Sequence, residues 1–287
     1  MKIKIIQVPY DCGYKDARQG LAPDYFIKHG LVEQLANSGH QVDVSRIDTQ
    51  SEFTTEVGTA FELNRLLSRA VSASVKDGAF PLVLAGNCNS CWGNIAGINS
   101  DRLGVVWFDA HGEFNTPETT LSGFLDGMPL ATATGRCWQA AANTIPGFAP
   151  VKESNVILVG ARDLDEEEGR QLEQSQINVI RSDSLKDDEI LKSIETSLSK
   201  LRERVSGIYL HIDMDAFEIG EGAANHYGAT GGLSVALIED AIGRVKRYFD
   251  IKSATIASFD PACDPKGRFL EAGLRCAGKL VSGDSGI

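Results

Sequence analysis

Basic residues are scarce in this sequence: 28 Lys and Arg stand against 39 Asp and Glu, a formal net charge of −11 over 287 residues. No Lys/Arg-rich run occurs, so polyanion partners such as nucleic acid are not expected. Apolar runs are short, and none approaches the length of a membrane span. The opening MKIKIIQVPYDCG carries no small-residue cleavage site and reads as a first strand rather than a signal peptide. These features favour the cytoplasm. Internal repeats, low-complexity tracts and Pro/Ser-rich linkers are also missing, and the expectation is one domain over residues 1–287. The six cysteines (Cys12, Cys88, Cys91, Cys137, Cys263, Cys276) are dispersed, unlike a secreted disulfide framework. Most read as buried apolar thiols. Cys88 and Cys91 form a lone C-x-x-C, which by itself says little about zinc or redox work.

What is present is an ordinary globular composition, 43% apolar and 23% charged. Strands are read at Lys2–Val8, Val42–Val44, Phe80–Ala85, Leu103–Phe108, Asn155–Val159, Ile177–Ile180, Gly207–Ile212 and Ser253–Phe259. Helical spacing is read at Tyr25–Asn37, Thr55–Val75, from near Pro129, and at Glu166–Gln174, Leu185–Arg204, Ser234–Phe249 and Phe269–Val281. A Gly-rich loop covers 220–232. Strands alternating with helices imply the α/β class, with a mostly parallel sheet covered on both faces. Polar loops gather past the strand ends, at 86–90, 109–115, 160–165, 213–215 and 258–264, as a single active-site face requires.

Two of those ends are acidic. Val105-Val106-Trp107-Phe108, a continuous apolar run suited to a doubly buried strand, gives way to Asp109-Ala110-His111-Gly112-Glu113. Residues i, i+2 and i+4 of a strand share a face, so Asp109, His111 and Glu113 are expected to point into one crevice. Carboxylate, imidazole, carboxylate is a ligand set for Mn²⁺, Zn²⁺ or Fe²⁺. Ile208–Ile212 ends similarly, in Asp213-Met214-Asp215. Two carboxylates spaced i, i+2 repel unless a cation or proton lies between them. One shared divalent-metal crevice explains both segments.

The ordered set of motifs resembles the arginase/agmatinase (ureohydrolase) family, over nearly the whole chain. The resemblance is carried by Gly20-Leu21-Ala22-Pro23 with Gly30-Leu31, by Asp109-Ala110-His111, Asn115-Thr116-Pro117, Ser122-Gly123 and Gly127-Met128-Pro129, and by Asp213-x-Asp215 followed by Gly231-Gly232-Leu233. It implies a three-layer α/β/α sandwich on an eight-stranded parallel sheet, a small amino-acid-like substrate, and a homo-oligomer. It also implies two Mn²⁺ ions that share bridging aspartates and activate a hydroxide to attack a guanidinium carbon. Carried over by motif, Asp109, His111, Asp213 and Asp215 keep one metal position whole, with Asp215 also counted as catalytic. At the other position the family histidine falls at Cys88 and an aspartate at Glu113. Thiolate suits Zn²⁺ or Fe²⁺ better than Mn²⁺, so one ion or two is implied, Mn²⁺ by family and Zn²⁺ or Fe²⁺ by Cys88.

Further departures touch the chemistry. The family's proton-shuttle histidine falls at Asp126, and its guanidinium-holding glutamate at Ser258. At the other end of the pocket, Asn115 and Ser122 fall where arginases hold the α-carboxylate, and Asp165, with Glu168 nearby, where they hold the α-ammonium. Alternatively Asn115 and Ser122 cap turns, and Asp165 caps the next helix. His211 reads as a satisfied core histidine and Trp107 as packing, while His226 either lines the pocket or is exposed. The expected function is metal-dependent cleavage of a C–N bond in a guanidino, amidino or amide group of an arginine-like substrate. The alternative is a catalytically impaired relative with a binding or regulatory role. A nucleophilic Cys88 is a third reading, without a histidine in its local motif to activate it.

Overall fold

The computed structural model describes residues 1–51, 55–218, 220 and 222–283. Its main sheet has eight strands: β1 Lys2–Val8, β2 Gln41–Arg46, β3 Ala79–Ala85, β4 Leu103–Phe108, β5 Val156–Val159, β6 Asn178–Ile180, β7 Gly207–Asp213 and β8 Ile251–Ala257. All pair in parallel, in the order β2-β1-β3-β8-β7-β4-β5-β6. The central strands β4 and β7 are buried at every position, which is why their sequences read as unbroken apolar runs. The strands of the sequence reading are all there.

Side-chain alternation splits the core in two. Val106, Phe108, Leu210 and Ile212 pack into one cluster with α1 (Ala22–Lys28), α2 (Leu31–Asn37), α8 (Asp187–Leu201), α9 (Val235–Tyr248) and α10 (Arg268–Val281). Val105, Trp107 and Tyr209 pack on the opposite face with α3 (Glu56–Lys76), α4 (Cys91–Ile98) and α5 (Pro129–Ala133). Two short helices, α6 (Gln139–Ala142) and α7 (Glu166–Gln174), complete the α/β/α sandwich. Leu67 and Val71 of α3 are fully buried, each contributing roughly 1.5–3 kcal/mol of apolar burial. Helix starts follow sequence signals. The Thr55 hydroxyl accepts the Gly58 N–H at 3.1 Å and that of Ser234 the Leu237 N–H at 3.1 Å.

Two departures from the sequence reading have a clear physical reason. The helix expected over Tyr25–Asn37 is two, because Gly30 adopts a left-handed φ of 90° between α1 and α2, a conformation glycine takes without strain. Helix α4 was not legible at all. Its eight residues, CWGNIAGI, are all buried, so no polar face gives it a helical period, and two glycines depress its propensity. Of the Gly-rich loop over 220–232, Glu221 lies outside the described residues. Among the described residues no helix is long and apolar enough to cross a membrane.

Candidate active site

Register builds the site. Phe108 pairs with Ile212, and Asp213 with Ala257 of β8. The residues just past those positions therefore emerge level, at the carboxyl edge of the four central strands β3, β8, β7 and β4. Cys88 follows β3, Ser258 follows β8, Asp213 ends β7 with Asp215 in the turn after it, and Asp109 follows β4.

Asp109, His111 and Glu113 do converge, their ligand atoms within 4.8 Å of one another, but not through strand pleating. The strand stops at Phe108. Beyond it Asp109 folds back on its own chain, its Oδ1 accepting the His111 N–H at 2.8 Å, and Glu113 takes a left-handed φ of 54°. The same local device shapes the second acidic end, where Asp213 Oδ1 accepts the Asp215 N–H at 2.8 Å. Ser258 also holds a positive φ, 64°. Such non-glycine conformations cost about 1–3 kcal/mol each and cluster at functional sites.

The electrostatics of this floor are unfavourable without a cation. Burial first, then repulsion from Asp215, raises the Asp109 carboxyl above its ordinary range. Burial raises Asp213 and Glu113 well above theirs, with Asp215 and Asp109 respectively the largest repelling charges. Glu113 Oε2 is buried without any hydrogen-bond partner, an expensive state unless something else supplies the contact. His111 Nδ1 lies 3.4 Å from both Asp109 Oδ1 and Asp215 Oδ2. Burial lowers its pKa, but Asp215 and Asp109 outweigh that and push it up to about 11. A protonated imidazole thus stands in for a metal cation. The donor set, four carboxylates and an imidazole around an unpartnered oxygen, fits a divalent ion.

Cys88 also reaches this floor. Its Sγ lies 2.9 Å from Asp213 Oδ2, 3.3 Å from Ser258 Oγ and 3.0 Å from His211 Nε2, and it groups with Asp109 and Asp213 as a further potential ligand set. His211 is indeed a satisfied core histidine, with Nδ1 2.7 Å from the Tyr209 hydroxyl and its ring stacked on Trp107 at 3.7 Å. It nevertheless places beside Cys88 the imidazole that the local sequence lacked.

Above the floor opens a cavity of about 190 Å³, smaller than the roughly 300–1,000 Å³ of drug-sized sites and suited to a small metabolite. Asn115, Ser122, Asp126, Asp165, Glu168 and Ser258 all line it. The Asn115 amide donates to Asp165 Oδ2 at 3.1 Å. Asp165 stands at the N-cap of α7 yet makes no side-chain cap bond, so it faces the cavity and not its helix. Ser122 Oγ does accept a turn N–H, from Phe124 at 3.2 Å. Glu168 Oε1 accepts the Phe114 N–H at 2.9 Å, and a Cβ on Gly112 would lie 2.6 Å from its carboxyl carbon. Only glycine permits that approach. Asp126 is clamped by the backbone ahead of α4: Oδ2 accepts the Cys88 N–H at 3.0 Å and Oδ1 the Asn89 N–H at 2.8 Å. His226 is exposed and off the cavity wall, which its neighbour Tyr227 supplies.

Three supporting residues escaped sequence reasoning. Trp107 Nε1 donates to Asp109 Oδ2 at 2.8 Å, a role masked by its place in an apolar run. Asn225 donates from Nδ2 to Asp215 Oδ2 at 3.2 Å and to the Ser258 carbonyl at 2.8 Å. Arg162 donates to the Asp215 carbonyl at 2.8 Å and the Ala229 carbonyl at 2.8 Å, tying β7 to the Gly-rich loop. Nothing local in the sequence marks either partner.

A parallel sheet covered on both faces, with acidic and imidazole side chains meeting at the carboxyl edge of its central strands, defines an α/β protein with one polar crevice. The Arginase family model matches residues 1–282, and the chain belongs to that family. An arginase from Bacillus caldovelox is 28% identical over 97% of each chain. One from Bacillus subtilis (strain 168) is 30% identical over 93% of each. The crystal structure of arginase from Bacillus cereus superposes with a TM-score of 0.89 at 26% identity, covering 100% of both chains.

Proposed function

We propose that this chain is a divalent-metal-dependent hydrolase cleaving a C–N bond in the guanidino, amidino or amide group of an arginine-like amino acid. The observation that carries the proposal is the meeting of buried Asp109, Asp213, Asp215 and Glu113 with half-buried His111 below a small polar cavity. Once bound, a divalent ion would lower the pKa of a coordinated water, which is the chemistry the crevice needs for hydrolysis. The chain's residues do the rest. Asp109, His111, Asp213 and Asp215 would hold the ion, and Glu113 and Cys88 would border a second position. The acidic cavity attracts a cationic substrate. The Asn115–Asp165 pair and Ser122, with Glu168 behind them, bind and orient its amino-acid end, and Tyr227 forms part of the cavity wall. Asp126 is the candidate proton carrier, its carboxyl pushed well up by burial, against the pull of the Asn89 and Cys88 N–H groups. Mn²⁺ follows from the family, while the thiol of Cys88 favours Zn²⁺ or Fe²⁺.

Ser258, where the family resemblance expects a glutamate, argues against plain arginine as the substrate. A buried guanidinium without that carboxylate forfeits about 1.5–3 kcal/mol of charge-assisted hydrogen bonding. The same change supports the second reading, a non-hydrolytic member with a binding role. Assays of urea, ammonia or amine release from a panel of arginine analogues, with Mn²⁺, Zn²⁺, Fe²⁺, Co²⁺ and Ni²⁺, decide between them. Turnover that Asp213→Asn abolishes supports the hydrolase. No turnover across the panel, with retained ligand binding, supports the second reading.

A further inference from the structure

We propose a second metal site, separate from the carboxylate crevice, formed by His226, Asp260 and Cys263 and suited to Zn²⁺ or another borderline-soft divalent ion. Asp260 and Cys263 flank a short turn just past β8, and His226 comes from the Gly-rich loop. Backbone bonds already clip the two segments together, Asp260 N–H to the Ala224 carbonyl at 2.7 Å and Ala223 N–H to the Cys263 carbonyl at 3.1 Å.

The ligand atoms of the three side chains lie within 4.8 Å of one another. Cys263 Sγ and His226 Nε2 are 3.6 Å apart. A tetrahedral zinc ion with bonds of about 2.3 Å to sulfur and 2.0–2.1 Å to nitrogen holds those atoms ~3.5–3.6 Å apart, so this pair needs no rearrangement to chelate. Asp260 Oδ1 accepts the Ala262 N–H at 2.9 Å, which fixes the carboxylate's direction as supporting hydrogen bonds do for metal ligands. Thiolate, imidazole and carboxylate together favour zinc over Mn²⁺ or Mg²⁺. His226 is exposed and Cys263 half-buried, so an ion arrives directly from solvent, with a fourth position open to water.

None of the three residues lines the cavity, whereas Asn225 and Tyr227, on either side of His226, both do. An ion here pins the loop that carries Asn225, the partner of Asp215, and Tyr227, part of the cavity wall. The site stands whether or not the crevice is catalytic.

The test is residue-specific labelling of the full chain after chelator treatment, with iodoacetamide and mass-spectrometric mapping of Cys263. Zn²⁺ is expected to slow alkylation of Cys263 roughly tenfold or more, because a metal-held thiolate is withheld from the reagent. The protection should disappear in His226→Ala and persist in Asp109→Asn/Asp213→Asn, whose crevice is disabled. In the Cys88→Ser background, cobalt(II) should give a thiolate charge-transfer band that adding Cys263→Ser abolishes. Equal labelling of Cys263 with and without Zn²⁺ overturns the proposal, on the unmodified protein and without recourse to a variant. So does protection lost in the Asp109→Asn/Asp213→Asn variant, or the absence of any band in Cys88→Ser, where Cys263 is the thiolate of the proposed site.

Discussion

Cys88 Sγ sits 3.0 Å from His211 Nε2, at the buried junction of β3 and β7. On distance alone this is a nucleophile and its base, but the surroundings hold both groups neutral. Burial lowers the His211 imidazole to about 3. Burial and then the charge of Asp213 raise the Cys88 thiol well above its ordinary value. A neutral, buried pair is a packing contact that also borders the candidate metal position.

It follows that Cys88 resists iodoacetamide in the native protein at neutral pH and is labelled only after unfolding, since alkylation requires thiolate and access. Peptide mapping measures this directly. Fast native labelling of Cys88 would instead revive it as a covalent nucleophile.

Metal loading is expected to expel protons. His111 holds a proton in the metal-free chain because Asp215 and Asp109 outweigh its burial, and a metal ligand must be neutral imidazole. Calorimetric titration at neutral pH, in buffers of different ionisation enthalpy, should report about one or more protons released per ion, with affinity rising as pH rises. Asp213→Asn should weaken binding by more than the roughly 10–100-fold typical of a merely supporting residue. Tight binding without proton release would put the ion away from His111.

The strands, the mostly parallel sheet and the acidic strand ends were legible because each rests on local pattern: unbroken apolar runs alternating with helical spacing, then abrupt polarity at a sheet edge; the order of the strands was not. The reason Asp109, His111 and Glu113 meet was not. A strand's alternation predicts a shared face, yet the convergence comes from an aspartate bonding two residues onward and from Glu113 at a positive φ, neither of which leaves a period in the sequence. Contacts between distant segments were equally hidden. Asn225 reaching Asp215 and Ser258 arises only once β7 and β8 lie side by side, while Trp107 serving Asp109 is a local bond masked by the apolar run that carries the indole. Helix α4 went unread because burial on every side removes the polar face by which helices are recognised.

Trp107 gives a stability prediction. Its indole N–H is a donor to the fully buried Asp109 carboxylate at 2.8 Å. Trp107→Phe keeps much of the apolar volume but strands that oxygen. Losing a hydrogen bond to a charged group costs about 1.5–3 kcal/mol, and the smaller ring adds a cavity term. Urea unfolding should register a loss on that scale, and metal affinity should fall with it as Asp109 loses its orientation. A loss well under 1 kcal/mol with metal affinity unchanged would reduce Trp107 to packing alone.

Glu168 carries one pH dependence that the fold imposes. It is only 3% exposed, and burial pushes its carboxyl from 4.5 up to about 7, against the pull of the Phe114 N–H and the charge on His111. The folded value lies above the unfolded one, so between those pH values the native chain keeps a proton that the unfolded chain has released. The stability contributed by neutral Glu168 is whole below about 4.5 and is lost as pH rises through about 7. At about 1.4 kcal/mol per pH unit the window amounts to ~3 kcal/mol. Glu168→Gln keeps an acceptor for the Phe114 N–H and cannot ionise. In metal-free protein, the unfolding free energy of the parent should therefore fall relative to the variant across this window, by on the order of 1–3 kcal/mol. A difference that stays flat from pH 4.5 to 7 would mean that Glu168 ionises as freely in the fold as in the unfolded chain, and that the cavity beside it is wetter than its burial indicates.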